Sequence, residues 1–241
     1  MSGLRVLHRH SLGSSIKSIS PYPNPSILPP SYGALITTEL NVVSVKITPT
    51  EQGRKSETAN AVDIEELGRW EFQNTGDEGG DEGLKSVYTK GGCLSLSLQG
   101  TLSLPPLQGK DGTATNVDLG DGRKGLSIEA SEVSGLFVVT AEDCTFVIGE
   151  IKDGEWNTLK EGKAGGLGVA AAFDSEGTRF VIGRKDGVCE VWDVGGGGLR
   201  KAYEVAGEEG GGWGGTNIRR QVNLAITTHP LPALIALSLG A

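Results

Sequence analysis

The chain carries one short unit twice. Phe137-Val-Val-Thr-Ala-Glu-Asp143-Cys-Thr-Phe-Val-Ile148 aligns without a gap on Phe180-Val-Ile-Gly-Arg-Lys-Asp186-Gly-Val-Cys-Glu-Val191, 43 residues further on. In each copy an apolar run enters a tight acidic turn and a second apolar run leaves it. The later copy closes with Trp192-Asp193. Short apolar runs bounded by turn residues read as strands buried on both faces. A unit repeated at this spacing buries its own faces only by stacking on its neighbours.

Extending the alignment organises most of the chain. Gly168–Phe173 suits a buried strand, Asp174–Gly177 a turn and Thr178–Gly183 the next strand. Lys185-Asp186-Gly187 is a hairpin in which Asp-Gly supplies the positive φ angles of a type I′ turn. Val188–Val194 is a third strand and Leu199–Val205, after Gly195–Gly198, an outer fourth. The preceding copy runs through Leu126–Ala130, Gly135–Thr140 and Thr145–Ile151, with Trp156 and Leu159 supplying its outer strand. Gly149 stands in it where Trp192 stands later. Upstream, Ser15–Ser20, Ala34–Thr38, Val42–Ile47 and Leu67–Phe72 form another copy, stretched by the five prolines of Pro21–Pro30. A repeat of roughly 40–45 residues closing in Trp-Asp describes one blade of a β-propeller. The order of strand, turn, strand, Asp-Gly hairpin, Trp-Asp strand and outer strand resembles the WD40 repeat. The resemblance is specific over 126–205, looser over 15–72 and 218–241, and absent over 73–125.

Within 73–125, Cys93–Leu98 alternates with period two and Leu102–Leu104 follows a Gln99-Gly100 turn, a hairpin belonging to a further blade. The Gly- and Asp-rich stretches on either side hold too little apolar surface to order themselves and read as loop insertions, about 73–92 and 105–125. Gln221–Ile226 and Ala233–Leu237 look like the first half of one more blade, and Leu4–His8 like an outer strand. The expected fold is all-β: a single WD40-like domain over 1–241, a partial or open propeller of about four blades, each a four-stranded antiparallel sheet, plus an incomplete last blade. An open ring leaves strand edges and a blade face uncovered. The chain is therefore expected to be a fragment of a longer propeller, or to close with another chain, or to stand as an open arc.

The repeat positions Asp143, Asp186, Gly187, Trp192 and Asp193 are expected to be structural. In the family resembled, the turn Asp and strand Trp join a His and a Ser in a buried hydrogen-bond network. Here Ile182 occupies the Ser position and no Gly-His pair precedes the blade, so the blade must rely on packing. No Arg lies two residues after Trp192-Asp193, which removes the local support for docking to a ubiquitin-ligase adaptor.

Candidate chemistry fails on context. Gly166-Leu-Gly168-Val-Ala-Ala171 has the letters of a dinucleotide fingerprint but lacks the strand before it and the helix after it. Asn116-Val-Asp118-Leu-Gly120-Asp121-Gly122 begins like a calcium loop, yet its fifth position is Gly120 and its twelfth Ser127. The pairs Asp77-Glu78 and Asp81-Glu82 read as solvated loop charges. His8, His10 and His229 are the only histidines and have no ligand-spaced partners, so neither metal nor cofactor is expected. No nucleophile has a base placed by sequence.

The bulk numbers narrow the partners. A net charge of −8 without a basic cluster argues against direct nucleic-acid binding. No apolar stretch is long enough for a membrane span. Three cysteines, Cys93, Cys144 and Cys189, make no disulfide framework and favour a reducing intracellular compartment, cytoplasm or nucleus. The resemblance implies a non-enzymatic scaffold that presents loops to protein or peptide partners. Arg184, Lys185, Arg200 and Lys201 are the candidate partner-facing residues. The alternatives are a subunit whose ring closes only with a partner chain, and a propeller enzyme of quinoprotein or lactonase type. The last would need carboxylates or histidines converging on a central channel.

Overall fold

In this computed structural model the regular structure of the described residues is sixteen β-strands and no helix. The structure describes residues 12–22, 27, 31–50, 62–72, 82–105, 114–120, 122–194 and 198–205. The strands fall into four antiparallel sheets in chain order, each with its strands side by side. Sheet A holds β1 (Ile16–Pro21), β2 (Tyr32–Thr38), β3 (Asn41–Pro49) and β4 (Val62–Glu71). Sheet B holds β5 (Gly83–Thr89), β6 (Gly92–Ser97), β7 (Leu102–Leu104) and β8 (Thr115–Val117). Sheet C holds β9 (Gly125–Ala130), β10 (Leu136–Ala141), β11 (Thr145–Lys152) and β12 (Glu155–Lys163). Sheet D holds β13 (Gly168–Phe173), β14 (Arg179–Arg184), β15 (Cys189–Asp193) and β16 (Arg200–Val205). The first strands β1, β5, β9 and β13 pack on one another in that order, so the sheets stack as four blades around one axis. The architecture is a partial, open β-propeller. The segments 4–8 and 221–237, expected to begin or complete a further blade, lie outside the described residues.

Stacking explains why the middle strands are apolar on both faces. Val138, Phe146 and Ile148 turn toward blade D and join a core with Phe173, Phe180, Ile182 and Trp192. Their neighbours Phe137, Val139, Val147 and Ile151 turn toward blade B and join Val87, Leu94, Leu96 and Leu102. The period-two alternation thus feeds two cores from one strand. Blades A and B share a third core around Tyr22, Leu35, Val42 and Cys93. A fourth cluster, Ala34, Val43 and Val45 with Leu12, lies on the other face of blade A. Buried hydroxyls stitch the blades together. Thr37 Oγ1 donates to Ser86 Oγ at 2.9 Å, Ser86 Oγ meets Ser95 Oγ at 2.8 Å, and Thr140 Oγ1 donates to the Gly168 carbonyl at 2.9 Å.

Two strands lie where the sequence reads as loop. The stretch 73–92 contains β5, the inner strand of blade B, and 105–125 contains β8, its outer strand. Ser86, Val87 and Thr89 of β5 are buried, so a strand with only one large aliphatic core residue is held by hydroxyl bonds and by position between β1 and β9. The strand β8 has no apolar alternation at all, and exists as the partner of β7.

The acidic turns also differ from the expected type. Gly187 has φ +88°, while Asp186 is not in the left-handed region, and the Gly187 amide donates to the Arg184 carbonyl at 3.1 Å. This is a three-residue hairpin whose third residue is left-handed, not a type I′ turn. The type I′ pair is Asp153-Gly154, with φ +54° and +85°, which joins β11 to β12. Cys144 occupies the position of Gly187 in the sister hairpin and is left-handed at φ +66°. Cys144→Gly is therefore expected to raise stability by about 0.5–1 kcal/mol, since a β-carbon is strained there. Urea denaturation checks this; a loss of stability would show that the Cys144 side chain contributes packing that outweighs the strain.

Candidate functional site

The repeat residues build hairpins and blade contacts. Asp186 Oδ1 accepts the Val188 amide at 3.3 Å and Asp143 Oδ1 the Thr145 amide at 3.0 Å, so each aspartate caps its own turn. Burial acts to raise both carboxyl pKa values. Hydrogen bonds from Arg184 and the Val188 amide at Asp186, and from the Thr145 hydroxyl and amide at Asp143, overcome it and leave both below the ordinary value. Their contribution is thus complete above the usual Asp range of about 4 and is lost as pH falls through the lowered values. Stability measured from pH 5 downward should fall less steeply in Asp186→Asn than in the wild type. Asp193 accepts from Arg179 Nε at 2.6 Å on an exposed surface.

Trp192 is buried, its ring 4.7 Å from that of Phe146 across the blade boundary. Its Nε1 donates to Glu190 Oε2 at 3.2 Å. Glu190 is fully buried, and its Oε1 accepts the Gly165 amide at 2.7 Å and Arg184 Nη1 at 3.0 Å. Arg184 in turn binds both oxygens of Asp186 through Nε and Nη2. The blade does not rely on packing alone: it has a hydrogen-bond network with different members, Glu190 and Arg184 serving where Ile182 cannot. The signal was available, because Glu190 lies two residues before Trp192 and must share its inward face. In blade C, where Gly149 replaces the tryptophan, the indole of Trp156 from β12 lies over it; a β-carbon at Gly149 would stand 2.4 Å from that ring.

Of the four candidate rim residues, Arg184 belongs inside this network; its side chain is only 11% exposed, held by the carboxylates of Asp186, Glu190 and Glu204 of its own blade. Lys185, Arg200 and Lys201 are exposed, and Lys201 pairs with Glu204 at 3.0 Å.

The inner strands enclose a channel of about 330 Å³. Ile19, Val169 and Ala171 line it together with Lys17, Lys85 and Glu129. Its charges are neutralised in place: Lys17 reaches Glu39 at 3.0 Å and Glu82 at 3.2 Å, and Lys85 reaches Glu129 at 2.6 Å. The channel thus offers methyl surface, the hydroxyls of Ser18 and Ser127 and closed ion pairs, and among the described residues no histidine or cysteine lines it. Gly166 and Gly168, of the dinucleotide-like string, lead into the inner strand β13 rather than a helix. Among the described residues no three His, Cys, Asp or Glu side chains come together as a metal site, and no helix is long and apolar enough to cross a membrane.

The cysteines differ in environment. Burial pushes the Cys93 thiol up to about 12, and burial also raises Cys189. Iodoacetamide at pH 8 should therefore leave Cys93 unlabelled in the native chain and label it on unfolding, with peptide mapping as the readout. Rapid native labelling of Cys93 would mean that the interface between blades A and B opens readily.

Solved structures share this fold. The chain superposes on a chain of an active polycomb repressive complex 2 in the basal state with a TM-score of 0.58 at 14% identity, over 79% of this chain and 40% of that one. It superposes on a chain of Chaetomium thermophilum polycomb repressive complex 2 bound to GSK126 with a TM-score of 0.57 at 15% identity, over 79% and 42%. A functionally unknown protein from Desulfotomaculum acetoxidans DSM 771 gives 0.61 at 12% identity, over 85% and 60%. At these identities the likeness is one of fold. The chain spans about two fifths of the length of those polycomb-complex chains. No family model matches the sequence, and no curated protein matches it.

Proposed function

We propose that this chain is a WD40-type, non-enzymatic interaction scaffold, working inside the cell in cytoplasm or nucleus and presenting propeller surfaces to protein or peptide partners. The observation that carries the reading is the channel. Its lysines and Glu129 are closed into ion pairs beside methyl groups and the hydroxyls of Ser18 and Ser127, a surface suited to contact with a partner. The likeness in fold to chains of a multi-subunit complex supports the same reading. Affinity purification of the tagged chain from cells, quantified by mass spectrometry, should recover a protein partner in stoichiometric amount. Recovery should fall several-fold for Lys185→Glu/Arg200→Glu, which reverses charge at two exposed positions, one at each end of blade D. A chain recovered with no stoichiometric partner overturns the proposal.

A second reading, closure of the ring by a partner chain, is favoured by the order of the inner strands, in which β1 and β13 stand at the two ends of the row among the described residues. It predicts a specific complex on co-expression and aggregation of the chain alone. A soluble monomer by light scattering would exclude it.

A further inference from the structure

A cavity of about 670 Å³ lies between blades B and C, away from the channel. This notch lies between the three-residue strands β7 and β8 of blade B and the nine-residue β12 of blade C. The floor is apolar, made by Leu104, Val117, Ile151 and the ring of Trp156. The rim is acidic: Asp118, Asp153 and Glu155 are all exposed. Asp118 caps the Gly120 amide at 2.8 Å, and none of the three is ion-paired with another described residue. Among the described residues no Lys or Arg lines the cavity; Lys90, in the β5–β6 turn, and Lys152, at the end of β11, stand outside it. The strand β8 is the last of its sheet, and among the described residues no strand lies beside its outer edge.

We propose that this notch docks an extended segment of a partner protein in which a Lys or Arg stands next to a large apolar side chain. The apolar side chain sits on the Trp156 floor, the cation meets the carboxylate rim, and the segment's main chain runs along β8 as an added strand. Charge complementarity selects this occupant: a net charge of −8 draws a basic segment to the chain, and an acidic segment would face three unpaired carboxylates. The proposal rests on the scaffold reading and adds to it a surface separate from the exposed basic residues of blade D.

The test pans random heptapeptides displayed on phage against the full chain and measures the enriched sequences as fluorescein-labelled peptides by anisotropy. The comparison is Asp118→Asn/Asp153→Asn/Glu155→Gln, which removes the charges while keeping the Asp118 cap and the left-handed turn at Asp153; an unchanged melting temperature verifies its fold. Enrichment of sequences pairing Lys or Arg with a large apolar residue is expected. Their affinity should drop about tenfold or more on the triple variant, on changing the peptide's anchor to Ser, and on raising the salt. Peptides that bind the triple variant unchanged overturn the notch. If those peptides are instead lost on Lys185→Glu/Arg200→Glu, the scaffold reading survives without it. A library that yields no binder overturns the notch, and the scaffold reading then stands or falls on stoichiometric partner recovery.

Discussion

Phe180→Ala is expected to destabilise the chain by about 3–5 kcal/mol. Phe180 is fully buried and pairs in register with Phe173 on one side and Trp192 on the other. Its ring lies 5.4 Å from that of Phe146 and 5.8 Å from that of Phe173, so it touches its own blade and the next. Truncation leaves a void walled by rigid aromatic rings on two separate sheets, which cannot collapse without moving a blade. Phe180→Leu keeps most of the volume and should cost less than about 1.5 kcal/mol. Urea denaturation followed by tryptophan emission separates two modes of failure. If blade D melts alone, the Trp192 signal moves ahead of the circular dichroism transition; if the stack is cooperative, the two coincide. A loss below about 1 kcal/mol would mean that blades C and D are not packed through this residue.

Arg184→Met is the second large effect, a loss of about 3 kcal/mol. The substitution leaves the Glu190 carboxylate fully buried, with the Gly165 amide and the Trp192 indole as its remaining close donors. Glu190→Met alone removes the charge but orphans those two donors and part of the Arg184 fork, so it is also destabilising. The double variant should recover part of the summed loss and not all of it. The Arg184–Glu190 attraction disappears with both charges, while the Gly165 and Trp192 N–H groups stay unsatisfied. A double-mutant cycle read by thermal or urea unfolding gives the coupling directly. A coupling energy near zero would show that Arg184 acts only through exposed Asp186, where an ion pair is worth little.

These two residues also mark the boundary of what can be read from the chain. The blade ending in Trp192 was legible because its strands are apolar, its turns carry Asp and Gly, and its sister copy repeats the order. The outer strands β4 and β12 were placed by single tryptophans, Trp70 and Trp156, among charged residues. Blade B was half legible. The β6–β7 hairpin shows in the alternating leucines, but β5 hides its core contribution in Ser86 and Thr89, whose burial depends on hydroxyl partners 49 and 9 residues away in the case of Ser86. The three-residue β8 carries no local signal. For the candidate site, Lys185 and Arg200 are exposed as expected, whereas Arg184, equally basic and adjacent to Lys185, is drawn inward by Glu190.

Local chemistry decided most of the strands, the places of their hairpins and the stacking period. Backbone preference and apolar alternation act over a few residues, and the repeat writes them out more than once. The tertiary structure alone decided where charges and voids lie. It closed Lys17 on Glu39 and Glu82 and Lys85 on Glu129, buried Glu190 against Arg184, and opened the notch beside β8. Each of these depends on the distance between residues far apart in the chain, and that distance is set by how the blades stack.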